Sequence, residues 1–139
     1  MFGPHVLVEC YKCNDIEKLK SEKFVKEFLL RLVDICKMTV IMSPEPHKFQ
    51  GDTPDQDGVT GIVVIAESHI SIHTYPEHRS FALDIFSCKD FEYYDAIQEI
   101  LREFQPMKMS FNIIQRGEYF PRTETKLKSI SENQLVNVN

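Results

Sequence analysis

The sequence predicts an α+β fold, a two-layer sandwich in which a largely antiparallel sheet carries its helices on one face. Three observations lead there. Short segments alternating apolar and polar side chains recur along the chain, the mark of half-buried strands. Only two segments carry the three-and-four spacing of an amphipathic helix. Two short helices cannot cover both faces of a six- or seven-stranded sheet, so one face is left bare and becomes a candidate dimer surface.

Residues 5–12 alternate, with Val6, Val8 and Cys10 on one face. A helix is expected within 15–37, where Val25, Phe28, Leu29, Leu32, Val33 and Cys36 form an apolar stripe opposite Lys23, Lys26, Glu27, Arg31 and Asp34. Thr39–Met42 starts a strand that Ser43-Pro44-Glu45-Pro46 bends or ends, because proline cannot donate to a ladder. Residues 50–58 are a polar loop of turn-forming residues with Asp52, Asp55 and Asp57. Ile62–Ile65 is a continuous apolar run, expected to be a strand buried on both faces. In 69–75, Ile70 and Ile72 oppose His69, Ser71, His73 and Tyr75, and Pro76 terminates the strand. In 81–88, Phe81, Leu83 and Ile85 oppose Ala82, Asp84, Phe86 and Cys88. Asp90 is the expected N-cap of a second helix with the stripe Tyr93, Ile97, Ile100, Leu101 and Phe104, stopped by Pro106. Met107, Met109, Phe111 and Ile113 make a last strand. The order β-α-β-β then β-α-β reads as two diverged copies of one unit. One domain is expected over 1–120, followed by a polar, poorly ordered tail over 121–139.

The 139 residues carry 16 Lys+Arg against 21 Asp+Glu, a net charge of −5, which argues against a nucleic-acid or anionic-membrane binder. With 42% hydrophobic and 27% charged residues the chain is an ordinary globular one. No apolar run approaches the roughly 18 residues of a membrane span. The opening residues lack the basic stretch of a signal peptide, so a cytoplasmic protein with four free thiols is expected.

The densest polar cluster is Glu67-Ser68-His69-Ile70-Ser71-Ile72-His73-Thr74-Tyr75-Pro76-Glu77-His78, set between the most apolar strands, where polar groups are costly to bury. Metal binding by His69 and His73 is disfavoured: four residues along a strand span roughly 13 Å, whereas both nitrogens must lie about 2 Å from a zinc ion. Cys10-Tyr11-Lys12-Cys13 is a CxxC without a second pair of ligands, and Cys36 and Cys88 are isolated. Ser68 and His73 carry no G-x-S-x-G elbow, and spacing alone reads Ser68 as a structural serine at a strand start.

The same segment, together with Asp84-Ile85-Phe86-Ser87-Cys88, Gly58-Val59-Thr60-Gly61 and the opening His5 to Cys13, closely resembles the small prokaryotic S-adenosylmethionine decarboxylases over residues 5–117. The resemblance implies a self-processing enzyme. In it the Ser68 hydroxyl attacks the Glu67 carbonyl, His73 assists loss of the Ser68 α-proton, and the chain is cleaved between Glu67 and Ser68. The products are a β chain of residues 1–67 and an α chain of residues 68–139 that begins with a covalent pyruvoyl group. That group forms a Schiff base with the substrate amine and accepts the electrons left by CO₂. Carried over from the family, Thr60 supports processing, Cys88 is the proton donor, Phe49 stacks on adenine and Glu77 binds the ribose. Tyr75 stands where the family form has tryptophan and joins Phe49 and Glu77 as substrate-binding. The implied activity is decarboxylation of S-adenosylmethionine for spermidine synthesis, by a homodimer whose active sites lie near the subunit interface. The loop Gln50–Asp57 is longer than the family form and is expected to border the nucleoside pocket. It keeps open a pyruvoyl enzyme for arginine or ornithine, and beside both readings stands an uncleaved, non-catalytic paralogue.

Overall fold

The computed structural model describes residues 3–119 and the backbone of residues 132–137. Its strands are β1 (Gly3–Tyr11), β2 (Val40–Met42), β3 (His47–Phe49), β4 (Gly58–Ile65), β5 (Ser68–Tyr75), β6 (Ser80–Ser87), β7 (Lys108–Arg116) and β8 (Glu132–Asn137). The helices are α1 (Ile16–Lys20), α2 (Glu22–Ile35) and α3 (Tyr93–Phe104). All eight strands join one sheet in the order β2-β4-β5-β6-β1-β7-β8, with β3 pairing β4 beyond β2. Every pairing is antiparallel. The expected α+β fold is therefore found, and the two halves of the chain interleave, since β1 lies between β6 and β7.

The core is the helix-facing side of this sheet. Val6, Val8 and Cys10 of β1, Val63 and Ile65 of β4, Ile70 and Ile72 of β5, Phe81, Leu83 and Ile85 of β6, and Met109, Phe111 and Ile113 of β7 are buried with Phe28, Leu29, Leu32 and Phe104 of the helices. Phe104 meets both Phe28 and Phe81 edge-on or tilted, at 4.9 and 4.5 Å between ring centres.

Because side chains alternate along a strand, the register also defines the other face. Three rows cross it: Val64–His69–Phe86–His5–Ile114, then Ile62–Ser71–Asp84–Leu7–Asn112, then Thr60–His73–Ala82–Glu9–Ser110. Among the described residues no helix covers these rows. The expectation that Ile62–Ile65 is buried on both faces is corrected here. Val63 and Ile65 are buried, but Ile62 is 51% exposed, because the cover is one-sided.

Other differences have local causes. The helix expected over 15–37 is broken at Ser21, whose backbone is extended and whose hydroxyl accepts the Phe24 N–H at 3.0 Å, starting α2 afresh. Asp90 does not cap α3; Glu92 holds the cap position and makes no side-chain cap bond, while Phe91 packs on the core and delays the helix. The short strand β3 falls in a segment left unassigned by periodicity. In the tail, Glu132–Asn137 forms β8 on β7, whose outer edge otherwise presents unpaired backbone groups. The rest of the tail expected to be poorly ordered lies outside the described residues.

Candidate active site

The hairpin between β4 and β5 is anchored on the strand before it. Ala66 N–H donates to the Thr39 carbonyl at 2.8 Å, and Thr39 N–H donates to the Glu67 carboxylate at 3.2 Å. The Lys89 ammonium lies 3.1 Å from the other oxygen of that carboxylate. Burial raises the cost of charging Glu67, yet the Thr39 N–H and Lys89 outweigh it and hold the carboxyl below its ordinary range. The Glu67 carbonyl accepts the Cys88 N–H at 2.8 Å. Ser68, the next residue, has φ 155°, a backbone conformation that L residues rarely adopt. It pairs with Ser87 across the sheet, so Glu67, Ser68 and half-buried Cys88 meet at one end of the sheet.

Thr60 and His73 meet elsewhere. They sit opposite each other on β4 and β5, with Thr60 Oγ1 3.0 Å from His73 Nδ1. His73 follows Ser68 by five residues of unbroken strand, which places their backbones about 16 Å apart. Beyond His73, β3 brings Phe49 beside Gly58, and the turn after β5 carries Glu77. Phe49 and Glu77 line a cleft of about 240 Å³ together with Lys20, Lys48, Gln50 and Asp57. The long loop thus borders this cleft through its two ends. Its fold is internal, with Gly51 N–H donating to Asp57 Oδ1 at 2.9 Å and Asp52 N–H to Gln56 Oε1 at 2.9 Å. Tyr75 is not among the residues lining that cleft; it lines a neighbouring surface depression with Tyr11, Lys12, His78 and Ser80.

The structure therefore gathers the sequence-predicted residues into two groups at opposite ends of β5: Glu67, Ser68 and Cys88 at one, and Thr60, His73, Phe49 and Glu77 at the other. Sequence reasoning missed Thr39 and Lys89, which grip Glu67 across the chain, and no local pattern marks either. His5 on β1 packs against Phe86 and His69, with ring centres 5.4 and 6.2 Å away. Burial lowers its pKa. Cys10, Cys13 and Cys36 are unpaired and buried, and burial pushes the Cys13 thiol up to about 11, Cys36 to about 12 and Cys10 further still. Thiols so reluctant to ionise are packing groups.

Comparison with known proteins bears on both fold and motif. The model of the S-adenosylmethionine decarboxylase family matches residues 4–117, and the chain belongs to that family. It is 36% identical over 116 residues to the S-adenosylmethionine decarboxylase proenzyme of Methanococcus maripaludis strain C5, covering 83% of this chain and 89% of that one. The proenzyme of Archaeoglobus fulgidus is 35% identical over 120 residues, covering 83% and 97%. The crystal structure of the adenosylmethionine decarboxylase from Aquifex aeolicus superposes with a TM-score of 0.70 at 29% identity, covering 88% of this chain and 96% of that one.

Proposed function

We propose that this protein is a self-processing, pyruvoyl-dependent S-adenosylmethionine decarboxylase. The observation that carries this reading is the state of the Glu67–Ser68 peptide, with its carbonyl on the Cys88 N–H and its serine at φ 155°. Backbone strain at a bond due to break raises the ground state relative to the transition state. The Cys88 N–H is aimed where negative charge develops when the carbonyl is attacked.

The chain's own groups account for cleavage. The Ser68 hydroxyl oxygen bonds to the Glu67 carbonyl carbon, the C–N bond breaks, and the hydroxyl proton ends on the freed amine. Loss of the Ser68 α-proton to His73 then breaks the Cβ–O bond, and Glu67 leaves as the new carboxylate. Water replaces the nitrogen of residue 68, which departs as ammonia, leaving the pyruvoyl group. That group supplies an electron sink for decarboxylation, the role a pyridoxal cofactor plays elsewhere. Phe49 offers a face for adenine and Glu77 a carboxylate for the ribose hydroxyls, both in the 240 Å³ cleft. The Cys88 thiol, beside residue 68, donates the proton that replaces CO₂.

About 16 Å separates Ser68 from His73 within one chain, too far for proton transfer. A homodimer packed bare face to bare face answers this, because a two-fold axis between the two groups lays the Ser68 end of one chain over the His73 end of the other. The buried atoms His5 Nε2 and Asn112 Oδ1 on this face have no hydrogen-bond partner among the described residues, which supports a cover. No helix among the described residues is long and apolar enough to cross a membrane. The four unpaired thiols suit a cytoplasmic setting.

The test is the denatured mass of the purified protein beside Ser68→Ala, followed by CO₂ release from carboxyl-labelled S-adenosylmethionine, arginine and ornithine. Fragments of residues 1–67 and 68–139 in the wild type, an intact variant, and release from S-adenosylmethionine alone are expected. An uncleaved wild-type chain overturns the reading, and release only from an amino acid reassigns the substrate.

A further inference from the structure

Glu67 is held at two points by one short run, Ser87-Cys88-Lys89. Cys88 N–H meets its carbonyl at 2.8 Å and Lys89 Nζ meets its carboxylate at 3.1 Å. The run is itself locked. The buried Ser87 hydroxyl donates to the Lys89 carbonyl at 2.7 Å and accepts the Lys89 N–H at 3.1 Å, closing a turn with Cys88 at its centre. From β1, Gly3 presses so closely that a Cβ there would stand 1.8 Å from the Ser87 carbonyl oxygen. One rigid turn therefore aims both donors at one residue.

The carboxylate that Lys89 pairs belongs to the residue whose carbonyl oxygen takes on negative charge when Ser68 attacks. Left without a counter-ion in this mostly buried place, it would repel that charge and be held by the Thr39 N–H alone, letting the carbonyl drift off the Cys88 N–H. We propose that Lys89 is a positioning residue for self-cleavage, acting through Glu67: its ammonium neutralises the side chain and holds the scissile carbonyl under the Cys88 N–H. This inference rests on the self-processing reading above and assigns a residue that the family resemblance leaves without a role.

The test follows cleavage of the full chain over time in cell-free translation. Lys89→Met should slow cleavage by about tenfold, as losing a charge-assisted hydrogen bond implies. Lys89→Arg should restore it to within about threefold by keeping the charge. Lys89→Glu should be slower than Lys89→Met, an ordering by charge that loss of packing would not produce. Adding Lys89→Met to Glu67→Gln should slow that variant no further. A Lys89→Met chain cleaving at the wild-type rate, or Lys89→Glu cleaving as fast as Lys89→Met, overturns the inference while leaving the self-processing reading intact. A wild-type chain that never cleaves overturns both.

Discussion

Thr60 and His73 are the residues where a single atom matters most. Their contact, at 3.0 Å, puts the hydroxyl on Nδ1, and in the proposed self-cleavage it is Nε2 that takes the proton. On that proposal the imidazole needs the hydroxyl and not the extra methyl of threonine. Thr60→Ser should therefore cleave within about threefold of wild type, whereas Thr60→Val, equal in size and lacking the hydroxyl, should be slower by about tenfold. Half-times of precursor conversion on a denaturing gel decide this. Equal rates for the two variants would mean that Thr60 only packs.

Among the elements, α2 and α3 are joined by charge as well as by the Phe28–Phe104 contact. Arg31 Nη1 lies 3.0 Å from both Glu99 Oε1 and Glu103 Oε2, Arg102 pairs with Glu99 on α3, and Lys18 of α1 reaches Glu103 at 3.1 Å. The Arg102 guanidinium holds the Glu99 carboxyl below its ordinary value, with help from Arg31 and against the cost of burial. A depressed folded-state pKa contributes stability that is present above the unfolded value of 4.5 and is lost as pH falls through the folded value. Glu99→Gln should accordingly cost about 1 kcal/mol at pH 7, discounted for the exposure of both arginines. Urea denaturation should show the gap closing in acid. A gap that persists at low pH would assign the loss to packing instead.

The sheet itself sets the question at the scale of the whole molecule. One face buries the core; the other carries Ile62, Val64, Leu7, Phe86 and Ile114 among His5, His69, Asp84 and Asn112. About 16 Å of strand β5, from Ser68 to His73, keeps the two groups of candidate site residues apart in every copy. If two copies share each site, a Ser68→Ala chain and a His73→Ala chain, each unable to cleave alone, should complement when co-expressed. Only the His73→Ala chain should then be cut, because it supplies Ser68 and receives His73 from its partner. Failure of the mixture to cleave, with both chains folded and associated, would place the whole reaction within one copy.

Much of this was legible in the amino-acid sequence. Alternation located β1, β5, β6 and β7 and sorted Ile70, Ile72, Leu83 and Ile85 from Ser71, His73 and Asp84, because the pleat makes facing a local property of a strand. The Glu67–Glu77 motif marked the candidate site, because its polar residues stand where composition demands apolar ones. Only the tertiary structure decided which strands are neighbours, that Ile62 lies on an uncovered face, that Lys89 reaches Glu67, and that Ser68 and His73 stand at opposite ends of one strand. Each of these depends on long-range hydrogen bonding and on distance through space. A two-residue period records which way a side chain points, but carries no information about what the fold has put in front of it.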